Sequence, residues 1–236
     1  MCGRYVSSSP PDELARYFGA SLPETLLEPN YNVAPTSPVY AVRARDGHRR
    51  MGTLRWGLVP HWAKDLSVGA RMINARAETV TSKPAFARPL ERRRCLLPAD
   101  GFYEWHKVPG RKTKQPYFVH RADEEPVAFA GLWERWSDRD DPDAAPTFSC
   151  CLLTTTPNAE MARIHDRMPV LLPPSAWDLW LDPDLRDRRE LGKLLGPAPD
   201  GLLVLRPVTT AVNNVRNQGP DLLDPAPQEP VGGAAG

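Results

Sequence analysis

The sequence lacks most features that mark membrane, secreted or repeat proteins. No apolar run approaches the ~18 residues that a transmembrane helix needs. The first residues do not join a basic segment to an apolar one, so we expect no secretory signal and a cytoplasmic location. The chain also has no internal repeat and no glycine-rich phosphate loop. These absences favour an ordinary globular protein.

Cysteine is scarce and is not spaced for a shared site. The 236-residue chain has four cysteines, none in a C-x-x-C pair, which predicts neither a zinc site nor a disulfide framework. Cys95, Cys150 and Cys151 lie in apolar, strand-like runs and are predicted to be buried structural thiols. Cys2 does not fit, because chain ends are usually exposed whereas free cysteine is among the most buried residue types. No metal or cofactor is expected.

Charge is balanced overall but grouped locally. Lys and Arg number 30 against 29 for Asp and Glu, and basic clusters occupy 43–50, 88–94 and 111–114. Arginine far outnumbers lysine, and its forked guanidinium suits phosphate contacts. The clusters are equally consistent with a solvated surface offset by acids elsewhere.

Short β-rich segments dominate the secondary structure predicted from the sequence. Strands are predicted within 37–45, 49–60, 94–105, 116–122, 126–136, 147–156 and 202–210. Helices are predicted within 7–20, 155–165, 173–181 and 182–196. Ser9 with Asp12, and Ser175 with Asp178, are placed as capping boxes, and Gly196 is placed as a helix stop.

This pattern predicts an α+β fold in one domain. Many strands with few helices and no regular β-α alternation favour an antiparallel sheet. The domain is predicted to span residues 2–220. The Pro/Gly-rich tail, residues 221–236, is predicted to be disordered because it cannot hold a core.

Cys2 offers chemistry that an internal cysteine cannot. Removal of Met1 would leave an α-amine and a thiol on adjacent carbons. A chain-terminal amine has a pKa of about 8, against about 10.4 for lysine, so more of it is free base at neutral pH. Such an amine attacks an aldehyde to give an imine, and the thiol then closes a five-membered thiazolidine. The mechanism predicts an aldehyde target and a durable adduct.

Three later stretches contain candidate partners for Cys2. In "RMINARAE", Asn74, Arg76 and Glu78 would share one face of a strand, where Asn74 could hold a substrate and Arg76 a phosphate. Glu104 lies between aromatic residues, which should raise its pKa toward acid–base use. In "ARIHDRMPVLL", His165 has ionisable neighbours and could shuttle protons. Each is also consistent with a structural or surface role.

Aromatic residues accompany the basic ones in "LRWGLVPHW". Trp56 and Trp62 could stack on unpaired bases, although core packing is the commoner role of tryptophan.

Together these motifs resemble the SOS-response-associated peptidase family, also called abasic-site processing proteins. The motifs occur in one order along residues 2–220: MCGRY (1–5), YNVAPT (31–36), RWGLVPHW (55–62), NARAE (74–78), CLLPADGFYEW (95–105) and IHDRMPVLL (164–172). Two positions depart from the family pattern. Tyr5 stands where many members have phenylalanine, and Ala77 stands where serine is frequent.

The resemblance implies a β-rich, barrel-like core with flanking helices, in a monomer that binds abasic sites in single-stranded DNA. It implies a thiazolidine crosslink on Cys2, with Asn74 positioning the terminus or the sugar. Glu104 would protonate the sugar ring oxygen and His165 would assist as a further acid–base group. The implied DNA contacts are Arg4, Arg76, Trp56 and Trp62. The family name also implies a peptidase, for release of Met1 by the protein itself, unless a general aminopeptidase does so.

Two other functions remain open from the residues alone. One is a thiol peptidase or N-terminal-nucleophile amidase that uses Cys2 and His165. The other is a non-catalytic module that binds single-stranded DNA, in which Cys2 is incidental.

Overall fold

The computed structural model describes residues 2–141 and 143–226. The strands are β1 (Tyr5–Ser7), β2 (Ala20–Ser21), β3 (Asn30–Val33), β4 (Pro38–Arg45), β5 (His48–Trp56), β6 (Asn74–Arg76), β7 (Arg94–Ala99), β8 (Gly101–His106), β9 (Gln115–Arg121), β10 (Val127–Trp136), β11 (Thr147–Thr155), β12 (Met168–Pro169) and β13 (Leu203–Pro207). The α-helices are α1 (Pro11–Tyr17), α2 (Pro84–Arg92), α3 (Ala159–Ala162), α4 (Pro174–Leu181) and α5 (Arg188–Lys193). Three 3₁₀ helices span Leu66–Arg71, Thr210–Asn213 and Pro220–Leu223.

Five strands of the larger sheet close on themselves to form a barrel. Strands β5, β4, β7, β10 and β11 pair antiparallel in that order. The ring closes where β11 pairs parallel with β5, with Ser149 opposite Arg55 and Cys150 opposite Trp56. Because β5 and β11 pair with each other, the five-stranded sheet has no free edge at either strand where they meet. The remaining strands of this sheet, β2, β6 and β12, attach to β5 or β11.

A second sheet, in the order β13-β9-β8-β1-β3, packs against one end of the barrel. Its side chains join those of the barrel interior in one core cluster that contains Tyr5, Trp56 and Phe129. The Tyr5 ring lies 5.1 Å from that of Trp56 and 5.6 Å from that of Phe129, in tilted and edge-on geometry. Such aromatic pairs contribute about 0.5–1.5 kcal/mol each beyond their burial. This packing fixes β1, and Cys2 belongs to the same core cluster.

Residue alternation assigns the two faces of the barrel. Cys150 and Leu152 of β11 belong to the interior cluster, whereas Cys151 and Leu153 belong to a second cluster under the helices. That outer cluster includes Leu14 of α1 and Trp180 of α4. Cys95, Cys150 and Cys151 are fully buried, as predicted. The prediction of an α+β fold with a barrel-like antiparallel core and flanking helices is confirmed.

Local details of the predicted helices differ from the structure. Ser9 is not the N-cap of α1, which is Pro10, because the Ser8 and Ser9 hydroxyls donate to Asp100. The predicted Ser175–Asp178 box does not form either, since α4 is capped by Pro173 without a side-chain hydrogen bond. Gly196 lies beyond the cap of α5, which is Leu194.

The beginning of the predicted disordered tail is ordered in the structure. The 3₁₀ helix Pro220–Leu223 buries Leu222, and Pro225 forms a bridge with Val208. The apolar Leu222 side chain therefore extends the core beyond the predicted boundary. The rest of the predicted tail, residues 227–236, lies outside the described residues. Among the helices of the described chain, none has the length and apolar character that crossing a membrane requires.

Candidate active site

Cys2 lies inside the protein, at the junction of the two sheets. Its side chain is fully buried, and its backbone carbonyl accepts a 2.8 Å hydrogen bond from Nδ2 of Asn74. Its Sγ lies 3.9 Å from the carbonyl oxygen of Arg4, to which the thiol donates. The structure thus brings together two residues that the sequence analysis assigned to one site.

Strand β6 positions Asn74. It runs parallel to β11 with Asn74 opposite Leu152 and Arg76 opposite Thr154. The Asn74 Oδ1 atom is buried and has no hydrogen-bond partner within the described residues. An unpartnered buried acceptor is costly unless a ligand or another group completes it. Arg76 is exposed, as a phosphate contact requires.

Glu78 does not share the strand face predicted for it. Strand β6 ends at Arg76, and Glu78 lies in the following turn. Its carboxylate accepts both arms of the Arg167 guanidinium, at 2.6 and 3.0 Å. This bidentate pair lowers the pKa of Glu78.

Glu104 is buried beside the start of the chain. Strand β8 pairs with β1 so that Phe102 faces Tyr5, and the same register places Glu104 opposite Gly3. Only 2% of Glu104 is exposed. Burial raises the pKa of its carboxyl to about 7, because the charged form loses hydration. A carboxyl with this pKa can both donate and accept a proton near neutral pH.

His165 completes a pair with Glu104. It follows α3, and its Nε2 atom lies 3.7 Å from Oε2 of Glu104. Its Nδ1 atom accepts a 3.0 Å hydrogen bond from the backbone N–H of Arg167. The neutral ring carries one proton, and Oδ1 of Asp166 also lies 3.0 Å from Nδ1. Burial lowers the pKa of His165, which favours this neutral form, while exposed Asp166 acts in the opposite direction.

Arg167 holds the His165 loop and was missed by the sequence analysis. Besides its fork onto Glu78, its Nη2 donates to the carbonyl oxygen of Thr154 at 2.7 Å. The residue thereby ties the loop to the end of β11 and to the turn after β6. The sequence feature that could have identified Arg167 is its position beside His165 in "IHDRMP". Its partners are visible only in the folded structure.

The buried thiol of Cys2 is held in its protonated form. Burial, followed by the negative charge of nearby Glu104, raises the pKa of the thiol well above its ordinary value. Reactive thiolates require the opposite, a lowered pKa in an electropositive environment. The Cys2 sulfur thus lacks the lowered pKa that a thiolate nucleophile requires.

The predicted DNA contacts divide into accessible and inaccessible side chains. Trp62 is 49% exposed. Trp56 is fully buried, packs on Tyr5 and donates from Nε1 to the carbonyl oxygen of Ile73. The predicted base contact by Trp56 is therefore not available, because its apolar ring fills the barrel interior.

Arg4 is engaged within the protein. Its Nη1 donates to Oδ1 of Asn32 at 2.6 Å and to the carbonyl oxygen of Val212 at 3.0 Å. Its guanidinium also lies over the Trp105 ring, 5.8 Å from the centroid. Arg4 thus connects the chain just before β1 to these three residues. Asn32 and Trp105 are supporting residues that the sequence analysis did not identify.

No cluster of three or more His, Cys, Asp or Glu side chains suited to a metal ion occurs among residues 2–141 and 143–226. The candidate site consists of Cys2, Asn74, Glu104 and His165, with Cys2 fully buried.

Comparison with known sequences identifies a family and several relatives. The family model described as SOS response associated peptidase (SRAP) matches residues 1–215. Abasic site processing protein YoqW of Bacillus subtilis (strain 168) is 41% identical over 226 residues, which cover 95% of this chain and 99% of that protein. Abasic site processing protein YoaM of the same organism is 42% identical, over 95% and 98% of the two chains. Abasic site processing protein YedK of Escherichia coli (strain K12) is 31% identical, over 95% and 100%.

Solved structures show the same fold. A protein from Bacteroides thetaiotaomicron superposes with a TM-score of 0.84 at 24% identity, over 95% of this chain and 100% of its own. A protein from Bordetella bronchiseptica superposes with a TM-score of 0.75 at 26% identity, over 88% and 100%.

Proposed function

Because the chain belongs to the SOS response associated peptidase (SRAP) family, we propose that it processes abasic sites in single-stranded DNA by crosslinking to them through Cys2. The observation that carries the proposal is the 2.8 Å hydrogen bond from Asn74 to the Cys2 carbonyl, beside the buried Glu104–His165 pair. The relatives named abasic site processing proteins support the substrate.

The reaction begins at the amine that removal of Met1 exposes, and Met1 itself lies outside the described residues. The amine nitrogen attacks the aldehyde carbon of the ring-opened abasic sugar, and the resulting carbinolamine loses water to give an imine. The thiol then adds to the imine carbon, and its proton passes to the nitrogen. One water leaves in total, and a thiazolidine remains.

Glu104 supplies the proton transfers in this scheme. Its pKa of about 7 leaves a large protonated fraction at neutral pH, so it can protonate the sugar ring oxygen and the departing hydroxyl. His165 Nε2 lies close enough to that carboxyl to orient it or to return a proton to it. The unpartnered Oδ1 of Asn74 is available to the new amine or to a sugar hydroxyl.

The raised pKa of the Cys2 thiol favours this order of events over a peptidase mechanism. A protonated thiol is a poor first nucleophile for an amide. It can still close onto an imine that is already held beside it. Two exposed side chains, the basic Arg76 and the aromatic Trp62, would hold the DNA strand.

The test is a crosslinking assay on denaturing gels. Protein lacking Met1 is mixed with a single-stranded oligonucleotide that contains one abasic site, and in parallel with the undamaged oligonucleotide. We expect a heat-stable shifted band with the abasic strand only, and its loss in Cys2→Ala. No band from the wild-type protein would refute the proposal. Turnover of peptides without DNA would support a peptidase instead.

A further inference from the structure

The barrel has a second accessible end, away from Cys2. On β11 the interior-facing residues run from Phe148 through Cys150 to Leu152, and Leu152 is the residue opposite Asn74. Phe148 is four residues earlier, about 13 Å along an extended strand. The interior residue between them, Cys150, and Leu152 itself are fully buried. The end of the barrel at Phe148, which we call the distal mouth, is therefore separated from the Cys2 site by core.

The distal mouth is lined by arginines and aromatic rings. A groove of about 670 Å³ opens there between the barrel and the segment 21–25. Its lining includes Arg43, Arg45, Arg50, Trp133 and Phe148. The arginines lie on the paired strands β4 and β5, with Arg43 opposite Arg50, so their charges gather on one side of the groove.

Arg43 lies against two aromatic rings of this surface. Its guanidinium lies 5.0 Å from the ring centroid of Trp133 and 5.8 Å from that of Phe148. Within the described part of the chain, no carboxylate pairs with Arg43 and no hydrogen bond uses its N–H groups. These contacts leave its N–H groups available as donors, which suits phosphate oxygens.

Acidic groups near the groove neutralise it only weakly. Asp46 lies 3.5 Å from Arg45 and 3.9 Å from Arg50, and one carboxylate thus serves two guanidinium groups. All three side chains are more than half exposed, and such pairs contribute little. Glu24 lines the opposite wall. The three arginines outnumber these two acids, so the groove keeps a net positive charge.

We propose that the distal mouth binds the phosphate backbone of single-stranded DNA that flanks the lesion, with Phe148 offering a stacking surface to its bases. Arginine beside an accessible ring is the combination that single-strand binding surfaces use. Phe148 is 37% exposed, so part of its side chain is accessible to a base. The inference rests on the proposed function, since it extends the DNA contact beyond the Cys2 site.

Arg93 connects this mouth to the other exposed aromatic residue. Its guanidinium lies 5.5 Å from the Trp133 ring and also pairs with Glu134. Glu134 Oε2 lies 3.5 Å from Nδ1 of His61, the neighbour of Trp62. A chain of contacts therefore connects the distal mouth to the loop that carries Trp62.

The experiment compares two double variants that remove the same charge. R45A/R50A alters the mouth, and R16A/R186A removes arginines elsewhere that have nearly the same exposure, 74% and 52% against 74% and 53%. Binding of an undamaged single strand of ~20 nucleotides is measured over a range of salt concentrations. Because each phosphate contact adds about 0.7 to the salt slope, R45A/R50A should lower the slope by about 1.4 and weaken binding about 10- to 25-fold at ~0.1 M salt.

Crosslinking of a short abasic strand of ~5 nucleotides is measured in parallel, because it is too short to extend far from Cys2. R45A/R50A should crosslink this strand like the wild type. Equal affinity and salt slope in the two double variants would overturn the inference. It would also be overturned if R45A/R50A lost binding to a polyglutamate peptide but kept its affinity for DNA. The proposed function fails separately, through absence of the short-strand crosslink in the wild-type protein.

Discussion

Asn74 donates a 2.8 Å hydrogen bond from Nδ2 to the carbonyl oxygen of Cys2, a residue 72 positions earlier in the chain. Chain termini are usually poorly ordered. Here the second residue is fully buried and is held by a side chain on β6, beside Glu104 on β8. If Met1 is removed as proposed, Cys2 fixed in this way would present its amine and thiol with little loss of conformational freedom.

Asn74→Ala should slow crosslinking without a matching loss of DNA affinity. The substitution removes the hydrogen bond that orients Cys2, and displacement of a reacting group by ~1 Å can cost about 100-fold in rate. Single-turnover crosslinking and noncovalent binding to an undamaged strand give the two quantities. Arg76→Ala is the comparison, since it should weaken binding more than the bound-state rate. Equal losses of both quantities in both variants would contradict the assigned roles.

Glu104→Gln should reduce the crosslinking rate by about 100-fold or more, the range expected for loss of a general acid. The wild-type rate should fall as pH rises above about 7, because the carboxyl then loses its proton. Gln has no proton to lose, so the variant should lack this decline. The measurement is a pH–rate profile with a saturating abasic strand. If the crosslinking rate of Glu104→Gln declines with pH in the same way as that of the wild type, the decline comes from another titrating group.

The same carboxyl should make stability depend on pH. Its folded pKa of about 7 lies above the ordinary value of 4.5, so the folded state binds more protons between these values. The free energy of unfolding therefore falls as pH rises from about 4.5 to 7, relative to Glu104→Gln. Thermal unfolding of both proteins across this range gives the difference. A gap in melting temperature that stays constant from pH 4 to 8 would show that the carboxyl is not perturbed.

Tyr5→Phe should stabilise the protein. Tyr5 is 1% exposed, and its hydroxyl has no hydrogen-bond partner among residues 2–141 and 143–226. Removing an unsatisfied buried hydroxyl should add about 1 kcal/mol, or ~2–4 °C in melting temperature. Tyr103→Phe is the matched control. Its hydroxyl donates to the Tyr31 carbonyl at 3.0 Å, so that change should destabilise. A lower melting temperature for Tyr5→Phe would show that its hydroxyl is satisfied in solution.

Much of the fold could be predicted because periodicity and turn residues report local structure. The long strands β4, β5, β10 and β11 carry β-branched and aromatic residues between Pro and Gly, and all were predicted. Strand β1 was missed, since its three residues form a strand only by pairing with β3 and β8. Helix α2 was also missed, because Pro89 lies inside it and its arginines were assigned to the basic cluster 88–94.

The candidate site could be predicted as a set of residues but not as a geometry. Cys2, Asn74, Glu104 and His165 were identified from chemistry and from motif order. Trp56 was assigned to DNA because a sequence does not distinguish an exposed tryptophan from one inside a barrel. Arg167 was not assigned a role, since its partners Glu78 and Thr154 are distant in the chain.

The most direct test of the account is the mass of the DNA-linked peptide that contains Cys2. After crosslinking to an abasic strand and digestion, the account predicts a Cys2 peptide joined to the sugar with the loss of one water and stable to heat. Cys2→Ser should give only a labile imine that borohydride traps, and Cys2→Ala an imine without ring closure. A stable adduct on another residue, or an adduct of equal stability in Cys2→Ser, would contradict the account.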